Sequence, residues 1–310
     1  MGAGKVAMSR GQLSGVSRQA CAAGVVRSRR EKAQAWRLML LILVAFAPAI
    51  AQNVEDRSTE HRSYNGVQEL ILDDITGSIE VSAAQGNSVE VDVEKILSAW
   101  SQDRLALAKK EISLSERRQG GLLELMVDGP FRCHCGDDSI HFDGHDLYQF
   151  TYNFKVRVPR QIRLDLRTVN HSDISVSGTS GDFRIRNVNG GIEMSDVEGS
   201  GSVSTVNGPV KVTFAKNPTA ATSFKSVNGT LDVSLRSGLN ADVKFKTMNG
   251  DVFTDFPVSA LPVAAEQPEH RGGMNVWRRN RLSAVRIGSG GPELSFETLN
   301  GEVLIRNKDK

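Results

Sequence analysis

The sequence predicts an all-β fold, a β-solenoid (parallel β-helix-like) of coils about twenty residues long with a β-rich N-terminal cap. Three observations predict it. First, a tetrapeptide of small polar, apolar, Asn, Gly recurs with the asparagines at Asn170, Asn189, Asn207, Asn228, Asn249 and Asn300, which are 19, 18, 21, 21 and 51 residues apart. Second, apolar and polar residues alternate on both sides of each motif, as in Val203, Val210, Val212 and Phe214, or Val243, Phe245, Val303 and Ile305. That period marks half-buried strands. Third, a second Gly-rich corner separates the motifs, as at Gly178–Gly181 and Gly199–Gly201. Each period therefore holds two short strands and two corners.

An antiparallel meander or sandwich also fits, because Asn-Gly is a favoured two-residue hairpin turn. The choice between them rests on parity. In Val243, Phe245, Thr247 and Asn249 the motif Asn shares the inward side with the residues before it. A buried amide needs partners, and stacked coils supply them as a ladder of asparagines. The solenoid reading thus expects an interior Asn row, with Gly turning the chain at positive φ.

Taken in chain order, residues 1–51 read as an export signal. Arg27, Arg29, Arg30, Lys32 and Arg37 precede the apolar run Leu38–Ala47, and Ala49-Ile50-Ala51 offers small residues for cleavage before Gln52. The run is shorter than a membrane span needs, so no stable span is expected after cleavage. This segment carries 8 Lys+Arg and 1 Asp+Glu, out of 38 and 36 in the whole chain. The remainder has 30 basic and 35 acidic residues, a net charge of −5. A mildly acidic protein has no electrostatic reason to bind nucleic acid.

Residues 52–66 read as a polar, flexible linker. Residues 67–164 read as the β-rich cap, with strands over 67–72, 77–81, 89–93, 122–127 and 150–158. Asp74–Val81 already resembles a repeat unit. Leu97, Trp100, Leu105, Ala108 and Ile112 are spaced loosely like one face of a short helix within Ser98–Glu111. Residues 165–310 form the repeat region, and residues 257–291 interrupt it as an inserted loop.

These features resemble the bacterial "putative adhesin" families, β-strand repeat domains of unknown function related to the auto-transporter adhesin head. The matching residues are Leu70–Val81, the strand Tyr152–Pro159, the Val-Asn-Gly series, and Ile287–Leu294 running into Thr298-Leu299-Asn300-Gly301. The resemblance covers about residues 65–308. It implies an envelope-located, solenoid-like fold and no defined biochemistry. His171 in place of Gly, the insertion and a Cys/His segment depart from it.

That segment, Phe131–Asp146, brings Cys133, Cys135, His141 and His145 close in sequence. Zinc favours such ligands, although the spacing matches no known finger. The plain alternative is a polar surface loop whose thiols are paired or modified. In the insertion, Arg271, Trp277, Arg278, Arg279 and Arg281 suit an anionic or sugar ligand. Here the alternative is a solvated loop with Trp277 folded onto the core. Asp173, Asp182, Asp196, Asp232 and Asp251 sit near corners, where turn chemistry already favours Asp, and share no common offset. No nucleophile triad, phosphate loop or dinucleotide fingerprint occurs, and no cofactor is expected.

The sequence thus predicts a non-catalytic exported scaffold or adhesin-like protein that binds a surface polymer or an envelope protein. An envelope signalling partner of a membrane protein is the next reading, and a polysaccharide-active enzyme the third.

Overall fold

The computed structural model describes residues 53–132, 148–170, 172–261, 269–271, 274–276 and 283–310. In the N-terminal third, strands β1 (Val54–Asn65), β2 (Glu69–Asp73), β3 (Ile79–Ala84) and β4 (Ser88–Ala99) precede helix α1 (Gln102–Glu111). Then come β5 (Ser113–Gln119), β6 (Leu122–Asp128) and β7 (Tyr148–Pro159). The repeats supply β8 (Arg163–Arg167), β9 (Ile174–Ser177), β10 (Phe183–Arg186), β11 (Ile192–Val197), β12 (Gly201–Ser204) and β13 (Val210–Phe214). They continue with β14 (Thr222–Asn228), β15 (Leu231–Leu235), β16 (Ala241–Asn249) and β17 (Val252–Thr254). The chain closes with β18 (Val258–Ala260), β19 (Glu269–Arg271), β20 (Met274–Val276), β21 (Ser283–Ile287), β22 (Glu293–Asn300) and β23 (Val303–Asn307).

Two large mixed sheets result. One runs β1-β4-β7-β3-β9-β11-β13-β15-β23-β17, the other β18-β21-β16-β22-β14-β12-β10-β8-β2-β6-β5. Each repeat puts one strand in the second sheet, turns at the Asn-Gly corner, and puts its next strand in the first. Neighbouring repeats pair in parallel, as in β10 with β12 and β11 with β13. The hairpin alternative fails for the repeats on this point.

Side-chain alternation builds the core between the sheets. In the second sheet, Leu72, Leu166, Ile185, Val203, Phe224, Phe296 and Phe245 occupy successive paired positions. In the first, Val81, Val176, Met194, Val212, Val233 and Ile305 do the same. All of these are buried except Phe245, which is partly so. Each side chain rests on its counterpart one coil away; Phe224 and Phe296 stack with ring centres 5.1 Å apart.

The stack does not follow chain order at either end. The last repeat, β22–β23, lies between β14–β15 and β16–β17. The coil β2–β3 lies between β8–β9 and the strands β6 and β7. Antiparallel strands then extend the sheets, which a pure solenoid does not predict. β4 and β1 extend the first sheet beyond β7, and β5 extends the second beyond β6.

Three expectations are corrected. Residues 54–65 are no linker but a twelve-residue strand paired along its whole length with β4. Exposed side chains join the pairing: Lys109 forms an ion pair with Asp56 and Arg57 with Glu94, and His61 Nδ1 shares a hydrogen bond with Asp92 Oδ1 at 2.6 Å. The helix starts at Gln102, because Leu97 belongs to the inward side of β4 and Ser101 caps the helix, its Oγ accepting from the Arg104 N–H at 3.3 Å. Trp100 is exposed. The segment 257–291 is in part structural. β21 pairs antiparallel with β16, β18 pairs with β21, and β19 with β20 forms a separate ribbon.

Candidate functional site: the Asn-Gly corner

The repeated motif converges on one corner of the stack. At each rung the chain leaves the second sheet, and three consecutive residues take different roles. The first small polar residue points inward: Thr168, Asn187, Thr205, Ser226 and Thr298 are all buried. Each satisfies itself on a main-chain carbonyl of the neighbouring coil. The Thr205 hydroxyl donates to Gly190 O at 2.9 Å, Ser226 to Gly208 O at 3.0 Å and Thr298 to Gly229 O at 3.2 Å. The Asn187 amide donates to Ser172 O at 2.7 Å. This buried row of donors answers the requirement that interior polar groups be paired.

The motif asparagines form a continuous ladder. Asn189 Nδ2 donates to Asn170 Oδ1 at 3.1 Å, Asn207 to Asn189 at 2.8 Å and Asn228 to Asn207 at 2.8 Å. Asn300 donates to Asn228 and Asn249 to Asn300, both at 2.7 Å. The ladder lies on the outside, however. Asn189, Asn207, Asn228, Asn249 and Asn300 are exposed and Asn170 half-buried. The interior Asn row expected from parity is therefore corrected. Strict alternation belongs to extended chain, and at the corner both the apolar residue and the Asn turn outward.

Beside the amides runs a second exposed row. Val206, Val227, Leu299 and Met248 are 38%, 37%, 39% and 55% exposed and occupy successive rungs. Large apolar side chains at this exposure in one line are uncommon on a soluble surface. Sequence reasoning missed the row because an apolar residue in a β repeat reads as core.

The motif glycine serves close approach more than chain reversal. A Cβ on Gly208 would stand 2.2 Å from Gly190 O, one on Gly229 1.9 Å from Gly208 O, and one on Gly301 2.1 Å from Gly229 O. Gly190 and Gly229 do not have positive φ, so the turn itself does not demand glycine there. Each coil sits directly on the carbonyl of the next.

Cys133, Cys135, His141 and His145 lie outside the described residues, as do Trp277, Arg278, Arg279 and Arg281. Arg271 is in β19, described by its backbone. Among the described residues no group of His, Cys, Asp and Glu is arranged to hold a metal. Three of the corner carboxylates are taken up in structural contacts. Asp173 accepts from the Gly191 N–H at 2.6 Å, Asp196 pairs with Lys308 and Asp232 with Arg306. Asp182 lines a shallow depression of about 370 Å³ on the second sheet, where Glu69 is held by Arg163 and Asp165 by Arg186. Hydrogen bonding to Lys308 keeps the Asp196 carboxyl below its ordinary range.

At the N-terminal end, Asp74 takes the position of the buried polar residue. Its Oδ1 accepts from the Ile75 N–H at 2.7 Å, as Asn187 Oδ1 accepts from Val188. Its Oδ2 finds no hydrogen-bond partner among the described residues. Burial pushes this carboxyl well above the usual carboxylate range, against the pull of the Ile75 and Thr76 N–H groups.

The fold and corner define a class: stacked β coils that present a repeated rim of asparagine and aliphatic side chains. Residues 161–272 match the family model described as Toastrack DUF4097, which bears out the resemblance read from the Val-Asn-Gly series to a β-repeat domain of unknown function. Among solved structures, the chain is similar to a "putative cell adhesion protein" from Clostridium sporogenes, with 10% identity, 82% of this chain and 100% of that chain covered, and a TM-score of 0.39. It is also similar to a "putative adhesin" from Bacteroides fragilis (9% identity, 81% and 97% covered, TM-score 0.36). A "putative lipid binding protein" from Parabacteroides distasonis gives 9% identity, 82% and 97% covered, and a TM-score of 0.34. No curated protein sequence matches the chain.

Proposed function

We propose that this protein is a non-catalytic binding scaffold of the cell envelope, which engages a surface polymer or envelope partner along its Asn-Gly corner. One observation carries the reading: the exposed row Val206, Val227, Leu299 and Met248 beside the asparagine ladder. Rigid stacking holds both rows in register, so a partner meets a preorganised surface and little ordering entropy opposes binding. The dispersed carboxylates favour this reading over a polysaccharide-active enzyme, since hydrolysis needs two carboxyl groups facing one bond.

Export through the Leu38–Ala47 segment is part of the proposal. Among the described residues no helix is long and apolar enough to cross a membrane. N-terminal sequencing of protein recovered outside the cytoplasm should read from Gln52, and a cytoplasmic full-length chain would refute export. Co-sedimentation with isolated envelopes tests the rim. The variant Val227→Ser/Leu299→Ser should lose most of the sedimented fraction while keeping its thermal midpoint within a few degrees. Undiminished sedimentation would place binding elsewhere.

A further inference from the structure

Resting on that reading of the rim, we infer that its ligand is a neutral, extended glycan of N-acetylated amino sugars laid along the stack axis. Three features of the corner lead there.

The first is charge. The two rows consist of Asn, Val, Leu and Met and carry no formal charge of their own. The second is unused hydrogen-bonding capacity. A primary amide carries two N–H donors and two acceptor lone pairs. Asn207 spends one donor on Asn189 and one lone pair on Asn228, and Asn228 does the same between Asn207 and Asn300. Each inner rung therefore keeps one N–H and one lone pair facing solvent. Main-chain groups are already committed between coils: Asn207 N–H to Val188 O at 2.7 Å, Asn228 N–H to Val206 O at 2.8 Å, Gly229 N–H to Asn300 O at 3.0 Å. An added peptide strand finds no free ladder here, which removes strand addition as the binding mode. Nor do the rows offer the aromatic or Arg anchors typical of protein-binding hot spots.

The third feature is the pairing of the rows. Each rung offers an amide edge next to an aliphatic side chain. An acetamido group is the complement of that rung, with one N–H, one C=O and one methyl. The amide edges exchange hydrogen bonds while the methyl covers Val, Leu or Met. Rungs repeat about every 4.8 Å, close to the length of one sugar ring in an extended chain. Because alternate sugars of a β-linked chain face opposite sides, every second rung receives an acetamido group. Six rungs, from Asn170 to Asn249, then serve about three disaccharides over roughly 24 Å.

The test uses soluble β-1,4-linked N-acetylglucosamine oligomers of two to eight sugars, and the same oligomers after removal of the acetyl groups. Affinity measured calorimetrically on the exported chain should rise at least about tenfold from the dimer to the hexamer and then level off, as linked weak contacts do. De-acetylated oligomers should bind at least about tenfold more weakly, and Val227→Ser/Leu299→Ser should abolish the length dependence with its fold intact by circular dichroism. Equal affinity for acetylated and de-acetylated chains, or no binding at any length, overturns the inference. If no oligomer binds but the rim variant still loses envelope co-sedimentation, only the ligand class is wrong. If neither effect appears, the rim itself is not the binding surface.

Discussion

Asp74 shows what a single atom does at the end of the stack. Coils further along use Thr168, Thr205 or Ser226 as a neutral inward donor, and Asn187 donates through its amide. Asp74 holds a carboxyl in that position with Oδ2 unpaired among the described residues. A buried acid whose folded pKa is raised binds its proton more tightly in the folded chain. Its contribution is therefore most favourable below the unfolded carboxylate range near pH ~4 and is lost as pH rises toward the folded value. Asp74→Asn replaces the carboxyl by an amide donor. Urea unfolding should find the variant about 1–3 kcal/mol more stable than wild type at pH 8 and nearly equal to it at pH 4. Equal stability at both pH values would mean that Asp74 ionises freely. Gly208 tests the corner at the same scale. Gly208→Ala drives a methyl into Gly190 O and should cost about 1–3 kcal/mol as backbones move apart, whereas Gly238→Ala, where no atom lies within 4 Å, should cost less despite its φ of +77°.

At the scale of elements, the C-terminal coil is the least expected feature. β22 supplies the second-sheet partner of both β14 and β16, and β23 the first-sheet partner of both β15 and β17. The chain must therefore leave the outermost coil and return one coil inward. That return explains why the last motif spacing is so long: β21 covers the edge of β16 before the chain re-enters the stack. A chain ending at Pro292 should lose hydrogen-exchange protection over 241–254 while 163–214 stays protected, because stacked repeats depend chiefly on their neighbours. Protection retained over 241–254 would show that β16–β17 can restack on β14–β15. Phe296 sits in the same coil, buried against Phe224. Phe296→Ala should destabilise by about 3–5 kcal/mol in thermal or urea melts.

At the scale of the whole molecule, most of the repeat architecture was legible from its periodicity, and the reasons for the misses are physical. Alternation located the strands, and the shared motif located the corner. Parity failed at Asn207 because Thr205 points in while Val206 and Asn207 both point out. Coil order was hidden because every repeat carries the same motif, so Asn249 is as well suited to Asn228 as Asn300 is. Strand β1 escaped notice because Val54 and Tyr64 are its only apolar residues and backbone pairing with β4 places the rest. The apolar rim was present in the sequence, but only the corner geometry separates it from the core.

Coils stack in parallel with the last one inserted before the fifth motif, and paired cysteines report that order. Parallel neighbours at one register stand about 4.8 Å apart, within disulfide reach, and positions two coils apart do not. Asn228→Cys with Asn300→Cys, and Asn300→Cys with Asn249→Cys, should each form a cross-link identified by peptide mass spectrometry. Asn228→Cys with Asn249→Cys should not. A cross-link between 228 and 249, with none to 300, would mean that the coils stack in chain order instead.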